Sequence, residues 1–178
     1  MFEQFQARAQ AVSAEVHRFA GAGPALDFVV HTLLAEGVAP EPGRRAVWCP
    51  GPILGPPEPE RLARELPGLT FEVTRAAAAE SKVGVSELDW AIADTGTLAQ
   101  DATDPRRRLP SMLTETHLAV FRTASLVPDL ATLLARVDPR RMRYLTCITG
   151  PSRTADIERV LTIGVHGPRR LLVVAVDA

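Results

Sequence analysis

Lysine is almost missing from this chain of 178 residues: Lys82 is the only one among 20 Lys plus Arg. Positive charge is therefore carried by arginine, and the formal net charge of -1 gives no long-range field toward nucleic acid or an anionic membrane. Aromatic residues amount to 5%, too few for the stacking platforms that hold single-stranded nucleic acid. There are two cysteines, Cys49 and Cys147, with no CxxC pair. That excludes a disulfide framework and falls short of the roughly four thiolates of a conventional iron–sulfur cluster. Each cysteine ends an apolar run, so both are expected as buried strand thiols. The four histidines show no HxxxH or HxH spacing, which argues against zinc. No stretch approaches the roughly 18 apolar residues of a membrane span. The N-terminus, with Glu3 and Glu15, has no signal-peptide pattern. The chain is expected to be cytoplasmic.

What is present is core material. Hydrophobic residues reach 46% and charged residues 23%, the balance of a globular domain rather than a disordered chain. Phe5, Ala9, Val12, Val16 and Phe19 recur at helical spacing and predict a helix over 2–20; a second is predicted over 27–36, stopped by Gly37. Short apolar runs at 46–49, 69–73, 82–85, 90–93, 117–121, 143–149 and 171–176 predict strands. Helices are expected at 60–66 and 127–136. Ser86 and Asp89 have capping-box spacing, so a helical turn is expected there. The polar stretch 101–110, with Arg106, Arg107 and Arg108, is expected as loop.

Near-continuous apolar strands alternating with helices indicate an α/β fold: a single three-layer domain with a central, mostly parallel sheet. We divide it into an N-terminal helical segment, 1–22, and an α/β domain, 23–178. Ligands of such sheets bind beyond the carboxyl ends of the strands, so loops that follow strands are the first candidates.

Three such loops carry suitable chemistry. In Asp94-Thr95-Gly96-Thr97, Gly96 permits a sharp reversal that exposes backbone N–H groups, and Asp94 is a candidate nucleophile or base. The competing reading is a turn whose Asp and Thr cap local backbone. In Gly150-Pro151-Ser152-Arg153-Thr154-Ala155-Asp156, a strand, a Gly loop and a helix start would bind an anion. There Ser152 and Arg153 are candidate ligand groups. Thr154 would be the N-cap, with Asp156 and Glu158 in the first turn; ordinary capping competes. Whether 160–163 is helix or strand, periodicity leaves open. In Gly164-Val165-His166-Gly167-Pro168, His166 is a candidate acid or base that titrates near neutrality, against a turn histidine bonded to backbone.

Other residues carry weaker expectations. His117, opening an apolar strand, is expected to be structural; His17 and His31 are expected on helices, at surface or packing positions. Arg106 to Arg108 and Arg140, Arg141 and Arg143 are expected as solvated loop faces. Lys82 is a candidate for either a functional or a structural cation.

The segments 150–158 and 164–168 resemble the C-terminal signature of the LUD-domain family, whose namesake is the lactate utilization protein C group. The turn 93–98 and the segment 109–117 resemble its central motifs, in the same order. The resemblance implies a fold like that of ribose-5-phosphate isomerase, glucosamine-6-phosphate deaminase and the CoA transferases. It implies a role in oxidising L-lactate to pyruvate beside iron–sulfur partner subunits. On that reading the chain itself holds no cofactor, since it carries two cysteines and no GxGxxG fingerprint. It would be a substrate-binding or accessory subunit. Asp94 and His166 would be its catalytic pair. Thr95, Gly96, Thr97, Gly150, Ser152, Arg153, Thr154, Asp156 and Gly167 would hold a small carboxylate. The alternatives are a free-standing CoA-transferase-like or sugar-phosphate-handling enzyme, with Asp94 as nucleophile, and an Arg-rich scaffold without a ligand.

Overall fold

The apolar runs become strands, here in a computed structural model that describes residues 1–55, 59–157, 160–163 and 167–177. In chain order the strands are β1 (Glu15–Phe19), β2 (Arg45–Cys49), β3 (Leu69–Thr70), β4 (Ser81–Glu87), β5 (Trp90–Ile92), β6 (Thr97–Asp101), β7 (Thr116–Arg122), β8 (Leu126–Val127), β9 (Leu145–Ile148), β10 (Arg153–Ile157), β11 (Val160–Ile163) and β12 (Arg170–Val176). The helices are α1 (Phe2–Ala11), α2 (Ala22–Ala35), α3 (Pro59–Glu65), α4 (Arg75–Ala79), α5 (Pro105–Leu113) and α6 (Leu130–Arg136).

Six strands form the central sheet in the order β1-β12-β7-β4-β2-β3, every neighbouring pair parallel. The long pairing of β12 with β7, from Arg170 opposite Thr116 to Val176 opposite Arg122, is the sheet's spine. A parallel sheet must be covered on both faces, and this one is. On one face Val83, Val85, Leu118, Val120, Leu172 and Val174 pack against Ala25, Val29 and Leu33 of α2 and Leu62 of α3. On the other, Ala119, Phe121, Val173 and Ala175 meet Phe5 and Ala9 of α1 and Leu98 of β6. Val47 meets Ala78 of α4 and Leu109 of α5 on that face too. A second sheet, β8-β5-β6-β9, joins the same cluster through Ala91 and Leu98, and β10 pairs with β11 as a hairpin. The α/β reading with a central parallel sheet is therefore correct.

Several local expectations are not. The predicted helix 2–20 stops at Ala11, because Ser13 takes a positive φ of 70° and the N–H groups of Val12 and Ala14 fold back onto Ala9 O. The apolar spacing then continues as β1, so His17 lies on a strand, against the Phe28 ring at 4.5 Å. No helical turn starts at Ser86: Ser86 and Glu87 extend β4, where parallel pairing with β2 and β7 overrides the capping pattern. Residues Leu126 and Val127 form β8 rather than opening a helix. The stretch 105–113 is helix α5, not loop. Pro105 at its start and the Asp104 carboxylate, which accepts from Arg106 N at 3.0 Å, nucleate it. Residues 153–157 are strand β10, not a helix start, and 160–163 are strand β11. Thr154 pairs with Thr162 instead of capping a helix; Glu158 lies outside the described residues.

At the amino edge of the sheet Lys82 has a structural role. Its Nζ donates to Glu36 O at 2.8 Å and pairs with the Glu36 carboxylate at 2.8 Å. Arg170 joins Glu36 and Glu15 to the same cluster. The C-terminal end of α2 is thereby tied to β1, β4 and β12.

Candidate functional site

Beyond the carboxyl ends of β2, β3 and β4 the chain opens a cleft of ≈ 680 Å³. Its walls follow from the topology. Cys49, Pro50, Gly51 and Pro52 leave β2; Phe71, Glu72, Val73 and Thr74 leave β3; Glu87 and Asp89 end β4. Gln100 of β6 and Asp104, Arg106 and Arg107 at the start of α5 close the fourth side. This is where ligands bind in open α/β sheets.

The polar groups divide into fixed and exchangeable. Arg107 is fixed. It grips both oxygens of Asp89 at 2.9 and 3.0 Å and donates to Asp101 O at 2.7 Å and Glu87 O at 3.3 Å. Burial works against its charge, and the bonds to Asp89 outweigh it, so its pKa lies above the usual value. Glu87 is buried and accepts from Ile53 N and Leu54 N, each at 2.8 Å. Burial raises its pKa against those two amides. Gly51 makes the approach possible, since a Cβ there would collide with the Glu87 carboxyl. Arg106 is exchangeable. It chelates Asp104 through Nε and Nη2, but its side chain is 69% exposed and that of Asp104 38%. Such a pair contributes little, so an incoming carboxylate can take the guanidinium.

Cys49 faces the same cleft half-exposed, and burial pushes its thiol pKa up against the pull of Arg107. Cys147 is exposed rather than buried, because β9 is an edge strand of the second sheet. Arg107 corrects the expectation of a solvated run. Arg108 also turns inward, bonding Ala102 O at 2.6 Å and stacking over Tyr144. Among the described residues no three His, Cys, Asp or Glu side chains are grouped as a metal would require.

Gln100 is the least expected member. It is 1% exposed, and its Nε2 donates to Glu87 O at 2.8 Å. That bond fixes the amide orientation and leaves Oε1 buried without a partner. Beneath the cleft, Ser86 Oγ meets His117 Nε2 at 2.8 Å in full burial. Burial drives the His117 pKa down to about 3, so the ring is neutral.

The loops singled out in the sequence converge elsewhere, around the C-terminal end of α1. Thr97 Oγ1 bridges Thr95 Oγ1 and Thr149 Oγ1, each at 2.8 Å. Gly96, with φ 67°, lies against the backbone of Arg8 and Ala9, and Gly150, with φ 73°, against Val12 O. Arg153 Nη2 donates to Ser13 Oγ at 3.1 Å, and Ser152 N to Pro168 O at 2.8 Å beside Gly167. Asp94 is exposed, its N–H bound to Pro128 O. Asp156 lies on β10, and His166 lies outside the described residues. Of these, Asp94, Thr95, Gly96, Thr97, Gly150, Ser152, Arg153 and Gly167 do not line the cleft. A signal for Gln100 was available: a lone amide in the apolar strand Thr97-Leu98-Ala99-Gln100. Nothing in the sequence marked Asp89 as the partner of Arg107.

The LUD domain family model matches residues 2–176, end to end on this fold. The chain belongs to the LUD-domain family. Lactate utilization protein C of an Exiguobacterium species is 36% identical over 111 residues, 59% of this chain and 48% of that protein. Lactate utilization protein C of Deinococcus radiodurans is 40% identical over 89 residues, 48% of this chain and 42% of that protein. This LUD-domain chain thus spans about half the length of the curated relatives it matches. A crystal structure of a DUF162 family protein from Deinococcus radiodurans superposes with a TM-score of 0.65 at 21% identity, covering 98% of this chain and 95% of that one. That likeness shows the fold. Among the described residues no helix is long and apolar enough to cross a membrane.

Proposed function

We propose that this LUD-domain chain serves lactate utilization as a substrate-binding or accessory component, taking a small carboxylate in the cleft beyond β2, β3 and β4. The observation that carries the reading is the cleft's pairing of an exchangeable cation with a rigid floor. Arg106 stands at the start of α5, where the helix dipole also favours an anion. Asp89 and Glu87 are held by Arg107 and by two backbone amides, so they do not compete for Arg106. The relatives' names supply the substrate class. With two cysteines far apart in sequence, electrons from lactate would pass to iron–sulfur partner subunits, and the chain would hold no cofactor of its own.

Titration calorimetry tests the binding step. L-Lactate or pyruvate should bind the purified protein, and Arg106→Ala should weaken that binding about tenfold, as expected for a charge-assisted hydrogen bond. No binding of either acid by the wild type contradicts the reading. Co-purification tests the partners: an iron–sulfur protein retained with the tagged chain supports them, and its absence under anaerobic isolation counts against them.

A further inference from the structure

Helix α2 is apolar on two faces, and the fold covers one of them. Of its fourteen residues only Asp27, His31 and Thr32 have polar side chains, the composition of a helix buried all round. Ala25, Val29 and Leu33 pack on the central sheet. Leu26, Val30 and Leu34 form one ridge at four-residue spacing and instead line an open groove of ≈ 430 Å³, whose other wall is Arg61, Leu62 and Glu65 of α3. Leu34 is 56% exposed. The groove shares no lining residue with the cleft beyond β2, β3 and β4.

We propose that this groove is the interface of a homodimer, with α2 of a second copy lying antiparallel in it. Two features select a second copy. The ridge reads the same in both directions about Val30. A two-fold axis there sets Leu26 against Leu34 of the second copy and Val30 against its own equivalent, with four-spaced ridges interdigitating as they most often do between helices. The rim is also matched in sign, Asp27 and Glu65 against His31 and Arg61. Arg61 and Glu65 already pair along α3 at 2.9 Å. A rim with acids and bases in equal number complements itself, whereas a strongly acidic or basic partner meets like charge at half of it. The net charge of -1 adds little repulsion between copies.

Sedimentation equilibrium of the full chain tests the interface. The wild type should pass from monomer to dimer between about 1 and about 100 μM. Leu34→Glu should raise the dissociation constant about 100-fold or more, since the two-fold axis puts each change into the interface twice. Leu134→Glu replaces a leucine of similar exposure, 52%, on α6 and should leave the dimer unchanged. Asp27→Lys sets three bases against one acid on the rim and should weaken the dimer, with added salt restoring part of the loss. All three positions are exposed, so the variants should fold, and far-ultraviolet circular dichroism checks that they do. A wild type that stays monomeric to about 1 mM overturns the proposal. So does a dimer indifferent to Leu34→Glu, or one weakened equally by Leu134→Glu. A monomer that binds phosphatidylglycerol vesicles only while Leu34 is intact gives the face to a lipid surface and overturns the second copy.

Discussion

Arg107 and Asp89 hold the floor of the cleft through two parallel hydrogen bonds between half-buried side chains. Arg107→Ala removes the cation from Asp89, which keeps only the Asp101 N–H, and takes the guanidinium donor from Asp101 O, and should lower stability by about 2–4 kcal/mol in urea unfolding. Arg107→Lys should recover only part of that, because an ammonium cannot grip both oxygens of a carboxylate in one plane. His117 gives a pH signature. Burial lowers its pKa from 6.5 to about 3 in the folded chain, so below pH 6.5 the unfolded chain binds the extra proton. The unfolded state is then favoured by acid, and stability should fall by up to about 1.4 kcal/mol for each pH unit between about 6 and about 3. His117→Asn keeps a polar partner for Ser86 and should flatten that slope in unfolding curves at pH 4–7. Glu36, held below the usual carboxylate range despite some burial by Lys82 and Arg170, slopes the same way at lower pH. Glu87, raised by burial, opposes both.

At the scale of elements, α1 is held by the loops that follow the second sheet. Gly96 combines a positive φ with close approach to Arg8 and Ala9, whereas Gly43 has a positive φ and open space around its Cα. The pair separates the two effects. Gly43→Ala should cost about 1 kcal/mol for backbone strain alone. Gly96→Ala should cost about 3 kcal/mol or more, because it also pushes α1 and Phe5 off Phe121. Thermal unfolding of the two variants measures the difference. The same elements explain what was legible in sequence. Strands β7 and β12 were, since a strand buried on both faces is apolar throughout. Helix α5 was not: three arginines and two prolines hide a helix that depends on the Asp104 cap and on Asp89, a contact made across the fold. Strand β1 was not either, because Val16 and Phe19 keep helical spacing past the turn at Ser13. The cleft was invisible for the same reason, its walls being three loops, a residue of β6 and the start of α5, brought together only by strand order.

For the molecule as a whole, the parallel sheet decides where chemistry can occur. The order β12-β7-β4-β2-β3 gathers the ends of β2, β3 and β4 on one side, and α5 and β6 close the space above them. The loops carrying Thr97, Gly150 and Ser152 meet the C-terminal end of α1 instead, and these three residues do not line the cleft. Ligand binding and bracing therefore make opposite claims about where a small acid is felt. Amide chemical-shift mapping of the ¹⁵N-labelled chain during L-lactate titration separates them directly. The largest shifts should fall at Gly51 and Ile53, at Glu72 to Thr74, at Gln100 and at Arg106 and Arg107. Shifts confined to Asp94 to Thr97, Gly150 to Arg153 and Gly167, or none at all, would contradict the cleft as the site of binding.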